Sequence, residues 1–145
     1  MWHGDAVQAL LADVHHGDAA RTPIVGAHSI WTLVLHMTAW ADIARDRLHG
    51  ESLGDPATVR NFPPLPSRIS SRAWASARSR LAVAHDRLAA AVILLPDEAM
   101  SQTVHGKRHT VRDMIDGVIE HSTYHGGQIA LLKRALVADD RGTEL

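Results

Sequence analysis

Residues 111–136 read VRDMIDGVIEHSTYHGGQIALLKRAL, and this stretch decides the fold class. Val111, Met114, Ile115, Val118, Ile129, Leu132 and Leu136 fall on one stripe at steps of three and four, the period of an α-helix face. His121 or Ser122, and then His125, fill the gap in the same stripe. Thr110 and Asp113 precede the stripe at the spacing of a capping box, with Asp in place of the usual Glu. The tail at 138–145 is polar and is expected to fray.

Working backwards, Trp74, Ala77, Leu81, Ala84 or His85, Leu88 and Val92 mark a helix over about 71–95, which Pro96 stops. Residues 96–109 read as a loop with one short turn near Asp97. Residues 51–70 carry Pro56, Pro63, Pro64 and Pro66 and no sustained period. About 20 extended residues reach roughly 60 Å, twice the length of a 20-residue helix. Such a linker permits its flanking helices to run parallel. Before it, Ser29 is a plausible N-cap for a helix carrying Ile30, Leu33, His36 or Met37, Trp40 and Ile43 or Ala44. Gly50 ends it, and Arg45 and Arg47 lie where cations suit the helix dipole. A first helix is expected over about 5–19, with Ala6, Leu10, Leu11 and Val14 inward, followed by a loop at 21–27. The pattern predicts an all-α protein, most simply a four-helix bundle with a long crossover between its second and third helices.

Composition narrows the function. The chain has 145 residues, the usual size of one domain, so residues 1–145 are read as a single unit. Its formal net charge is −1, with basic residues scattered among acids, which argues against nucleic acid or an anionic membrane surface as partner. There are no cysteines, which excludes disulfides and thiolate metal sites. The N-terminal residues lack the basic and apolar segments of a signal peptide, and the longest apolar run, 88–95, is too short to span a bilayer. A cytoplasmic location is expected.

There are 11 histidines. His121 and His125 stand four apart, so both imidazoles lie on one helix face and can converge on one ion. His36 falls on the apolar stripe of the second helix. An i, i+4 pair is often a surface or core pair, and a lone inward histidine is often a hydrogen-bonded core residue. Three neutral imidazoles together in an apolar stripe, however, need many polar partners or an ion. Three nitrogen ligands leave a coordination position open, as catalytic metal centres do. Gln128, three residues after His125, reaches back toward the site; Tyr124 and Trp40 are candidates for its wall, with core packing as their alternative role. Gly126 and Gly127 lie mid-helix, explained either by a close approach or by a harmless surface position. The other histidines, among them His15, His16, His28, His85 and His109, are assigned loop, cap or unpartnered roles.

Ala27-His28-Ser29-Ile30-Trp31, then Leu35-His36, then His121-Ser122-Thr123-Tyr124-His125-Gly126-Gly127-Gln128-Ile129, resemble the DinB-like superfamily of metal-binding helical bundles. The turn at Arg21 to Pro23, the Arg47-Leu48-x-Gly50 helix end and the Phe62-Pro63-Pro64 linker extend the resemblance over nearly the whole chain. The chain starts late against that pattern, which predicts a short first helix. The resemblance implies a three-histidine site, here His36, His121 and His125, holding zinc, nickel or a similar divalent ion with open positions. It implies a homodimer. It also implies two chemistries on small-molecule substrates: transfer of a low-molecular-weight thiol to an electrophile, or metal-dependent hydrolysis. A non-catalytic, metal-stabilised stress-response module is the remaining alternative. No His-Glu-x-x-His motif is present, and Glu120 lies one step off the site face.

Overall fold

The computed structural model describes residues 6–50 and 61–142. It is all-α: five α-helices and one 3-10 turn, with a single isolated bridge between Thr103 and Thr110 and no strands among the described residues. The helices are α1 (Val7–Leu11), α2 (His16–Ala20), α3 (Ile30–Leu48), α4 (Ser71–Ile93) and α5 (Val111–Gly142). The short turn spans Asp97–Ser101.

Each long helix starts where a side chain can take up its free N–H groups. Ser29 accepts a hydrogen bond from the Thr32 amide at 3.1 Å and so caps α3. Ser70 does the same for α4 through Ala73 at 3.2 Å. The expected capping box forms at α5: the Thr110 amide donates to Asp113 Oδ2 at 2.8 Å, and the Asp113 amide donates back to Thr110 Oγ1 at 3.2 Å. Gly50, just beyond α3, has φ +80°, a conformation that costs glycine little and other residues much.

α3 is the central element. The sequence shows one apolar stripe, but Trp31, Val34 and Leu35 are buried beside Ile30, Leu33, His36 and Met37. The helix packs against α2, α4 and α5, so most of its circumference is covered. Two apolar clusters form. The first joins Trp31, Leu33 and Val34 near the start of α3 to Trp74, Ala77 and Leu81 near the start of α4 and to Ile129, Leu132 and Leu136 late in α5. The second joins Ala41 and Ala44 to Ala84 and Leu88 and to Met114 early in α5. α3 and α4 therefore point the same way and α5 runs opposite to both. Part of the crossover predicted between α3 and α4, including Pro56, lies outside the described residues.

Two expectations are corrected. The first helix is not continuous over 5–19; it breaks between Leu11 and His16. The break frees backbone carbonyls, and side chains from other helices take them. Trp74 Nε1 donates to Val14 O at 2.7 Å, Arg78 Nη1 to Leu11 O at 3.1 Å and Lys133 Nζ to Leu10 O at 2.9 Å. Those tertiary bonds replace the intrahelical ones and are invisible to a periodicity argument. His15 accordingly stands at the N-cap position of α2, and His16 opens that helix. The second correction concerns the C-terminal tail, where α5 continues to Gly142. Arg21 holds that end, pairing with Asp139 at 2.5 Å and Asp140 at 2.8 Å.

The two mid-helix glycines have different explanations. A Cβ on Gly126 would sit 3.6 Å from Val7 Cγ2 and 3.7 Å from Leu10 Cδ1, so α1 lies directly over it. A Cβ on Gly127 would meet nothing within 4 Å. Gly127→Ala is therefore expected to stabilise the protein by about 1 kcal/mol, the helix-propensity difference. Urea unfolding of the two proteins would measure it. A destabilised variant would mean that Gly127 has a packing or ligand role that its open surroundings hide.

Candidate metal centre

α3 and α5 cross with His36 facing His121 and His125. Their ligating nitrogens all lie within 4.8 Å of one another. His36 and His125 are buried, and His121 is half-buried.

Two of the rings are fixed from behind. His36 Nδ1 meets the backbone carbonyl oxygen of Asn61 at 2.6 Å, and His125 Nδ1 meets Gln128 Oε1 at 2.6 Å. Both oxygens only accept, so both Nδ1 atoms carry the proton and donate. Gln128 is itself oriented, its Nε2 donating to the Tyr124 hydroxyl at 3.1 Å. In neutral rings this leaves the Nε2 atoms of His36 and His125 as bare lone pairs. Both face Nε2 of His121, at 2.8 and 3.0 Å. His121 has one proton at most to offer there, so at least one lone pair faces another with no hydrogen between them. Hydrogen bonding cannot satisfy that convergence, and a cation can. Zinc–nitrogen bonds of about 2.0–2.1 Å in a tetrahedral site space two nitrogens roughly 3.3 Å apart. The residues present fit a divalent ion, and ligands backed by acceptors on Nδ1 are the usual arrangement around one.

Aromatic rings close the sides. Phe62 stacks on His36 with centroids 4.1 Å apart and planes 6° from parallel, and stacks on His28 from its other face at 4.3 Å. Trp40 lies 6.1 Å from the ring of His121 and donates from Nε1 to Asn61 Oδ1 at 2.7 Å. Asn61 thus ties the linker to α3 twice, by its backbone to His36 and by its side chain to Trp40. Beside the triad is a cavity of about 610 Å³, bounded by His36, His121, Trp40, Arg47, Asn61 and Met114 among others.

The structure brings together the three histidines singled out by spacing, with Gln128 behind His125 and Trp40 in the cavity wall. Tyr124 is exposed and acts on Gln128 rather than on the cavity. Trp31 belongs to the core, its ring 5.1 Å from Trp74. His85 is half-buried on α4 and stands outside the triad. Sequence reasoning missed Asn61, the stacking of Phe62, and the places of Arg47 and His109 in the cavity wall. Phe62 had a signal, as part of the Phe62-Pro63-Pro64 resemblance. Asn61 acts on His36 through its main chain, which leaves no mark in residue type.

A family model of the DinB superfamily matches residues 2–129. This chain belongs to the DinB superfamily. No curated protein and no solved structure matches it. In this DinB-superfamily chain the match takes in all three histidines and Gln128 and stops at Ile129, before the last core positions of α5, Leu132 and Leu136.

Burial is the main cause that holds all three imidazoles of this DinB-superfamily site below their ordinary value. For His121, with His125 and His36 adding repulsion, the pKa falls from 6.5 to about 4. For His36 and His125 burial outweighs the hydrogen bonds they donate to Asn61 and Gln128, which pull the other way. The metal-free protein should therefore lose stability in acid. Between pH 6.5 and about 4 the unfolded chain binds protons that the folded site refuses. The stabilisation is complete above 6.5, is lost as pH falls through that window, and levels off below it. Urea midpoints of chelator-treated protein from pH 7.5 to 4 should fall on acidification. A flat or rising midpoint would mean the triad takes up protons as readily as free histidine.

Proposed function

We propose that this chain is a metal-dependent enzyme that transfers a low-molecular-weight thiol to a small electrophilic substrate. The observation that carries the reading is the one-sidedness of the triad. Three Nε2 atoms converge at the edge of a cavity, and among the described residues no fourth His, Asp or Glu joins them. His36, His121 and His125 would hold one divalent transition metal, zinc or nickel by the character of the donors. Bound there, the ion supplies a full +2 charge that lowers the pKa of a protic group on its open side.

The chain's own residues do the remaining work. The Asn61 carbonyl and Gln128 keep the His36 and His125 protons on Nδ1 and their Nε2 atoms inward. Phe62 covers one face of His36, and Trp40 braces the linker through Asn61. Ala44, Met114 and Val118 give the cavity an apolar wall for an electrophile. The preference for a thiol over water rests on family resemblance. With water in its place the same site would hydrolyse a small molecule.

The wider expectations go with this reading. One domain covers residues 1–145, and α1 and α2 together serve as the first member of a four-helix bundle. The parallel run of α3 and α4 supports the long crossover expected between them. A homodimer and a cytoplasmic location rest on the resemblance and on composition. No helix among the described residues is long and apolar enough to cross a membrane.

The test is turnover of 1-chloro-2,4-dinitrobenzene by metal-reconstituted protein, with and without 2-mercaptoethanol. Thiol-dependent product above the uncatalysed rate, absent in His36→Ala, supports transfer. Equal rates for parent and His36→Ala would remove the triad from the reaction. Hydrolysis of p-nitrophenyl acetate without thiol, lost in the same variant, would move the assignment to a hydrolase.

A further inference from the structure

Arg47 is a cation in an unusual place. It lies in the last turn of α3 and is 9% exposed. Its Nε is buried with no hydrogen-bond partner, and no carboxylate among the described residues lies within 4.0 Å of its guanidinium. The acids around it are otherwise engaged. Asp46 pairs with Arg45 at 2.7 Å, and Asp113 accepts from the Thr110 amide and hydroxyl at 2.8 and 2.7 Å. What Arg47 has instead is an aromatic face: its guanidinium carbon lies 5.9 Å from the centre of the Trp40 ring.

Burying a guanidinium without a counterion is costly, and buried charges are normally paired. The negative end of the α3 dipole offsets part of that cost without giving Nε a partner. Arg47 also lines the same cavity as His36 and His121. Trp40 stands between the two ends, 5.9 Å from the guanidinium on one side and 6.1 Å from the His121 ring on the other. The cavity thus has a reactive end and a cationic end, separated by one indole, within about 610 Å³. That volume suits one small molecule.

We propose that Arg47 is an anion-recognition residue, and that the ligand of this cavity is a small organic molecule whose carboxylate pairs with the Arg47 guanidinium while its other end reaches the histidine triad. The planar fork of a guanidinium matches a carboxylate in two-point contact, and the Trp40 ring 5.9 Å away gives it a cation–π partner. Asp113 lines the same cavity as a second, negative charge. It disfavours another anionic group toward α5, so the ligand carries its carboxylate at one end only. This deepens the proposed function, on which it rests for the chemistry at the triad. The charge recognition itself needs no metal.

The probe is 6-mercaptohexanoate, compared with its neutral amide. Binding is read by calorimetry on metal-free and cobalt(II)-loaded protein, and thiol contact with the metal by the cobalt absorption spectrum. The acid is expected to bind about tenfold more tightly than the amide, the scale of one charge-assisted pair. In Arg47→Met the acid should fall to the level of the amide. A calorimetric preference that Arg47→Met abolishes, without a thiolate band on cobalt, supports Arg47 and counts against thiol chemistry. A thiolate band with equal affinities for acid and amide overturns Arg47 and leaves the metal reading standing. No binding of either compound overturns the inference as well. The acid-to-amide comparison in the parent protein decides the matter even if Arg47→Met fails to fold.

Discussion

Replacing His121 with alanine is expected to take metal content from about one ion per chain to background. His121 is the hub of the triad, because the Nε2 atoms of both His36 and His125 point at its own. Without it, two ligands on two different helices remain, too few for a tight site of this kind. Gln128→Leu keeps all three ligands and removes only the acceptor that orients His125, so it should weaken binding about 10–100-fold without abolishing it. Elemental analysis after reconstitution and dialysis measures the first effect, and competition with a chromogenic chelator measures the second. Undiminished metal in His121→Ala would place the ion among the other histidines and sink the site. Lost fold is separable from lost ligation. The metal-free His121→Ala protein should melt no lower than the metal-free parent, because it lacks one of three crowded and unsatisfied nitrogens.

The triad was legible in the sequence because two of its members share one helix. Residues four apart must lie on one face, whatever the rest of the chain does. His36 was legible only as an inward position on a second helix; its meeting with α5 depends on how α3 packs. What sequence could not show was the support. The tautomers of His36 and His125 are set from behind, one by a main-chain carbonyl in an aperiodic linker and one by a side chain three residues on. The second follows from helix geometry, whereas the first needs the path of the linker. Arg47 illustrates the opposite error. Its place at the end of α3 made a dipole role sufficient, and nothing in the spacing told of its burial or of the cavity it lines.

The fold divides the same way. α4 shows its inward face plainly: Trp74, Ala77, Leu81, Ala84 and Leu88 are all buried. The N-terminal segment does not. Leu11 and Val14 are buried as the helical stripe requires, yet the helix between them is broken. A local period cannot show that carbonyls at 10, 11 and 14 are taken by Lys133, Arg78 and Trp74 respectively, each far away in sequence. The link to the site is direct, since α1 covers Gly126, the neighbour of His125.

Trp74 carries a large expected stability effect. It is 3% exposed, packs on Trp31, lies under the Arg78 guanidinium at 5.8 Å and donates to Val14 O at 2.7 Å. Trp74→Ala should cost about 3–5 kcal/mol through the void it leaves, or roughly a 10–15 °C fall in melting temperature for a domain of this size. Trp74→Phe separates packing from hydrogen bonding. It keeps most of the ring and strands the Val14 carbonyl, a loss of about 1–3 kcal/mol. The two variants should also differ in where they loosen. Losing the carbonyl's partner acts on the α1–α2 break, so Trp74→Phe should speed amide exchange and proteolysis near residues 12–15 while the core of α4 and α5 stays protected. Trp74→Ala should loosen both. If Trp74→Phe leaves the break as protected as in the parent, then Arg78 and Lys133 hold that segment without the indole, and the Trp74–Val14 bond is not what keeps the break in place.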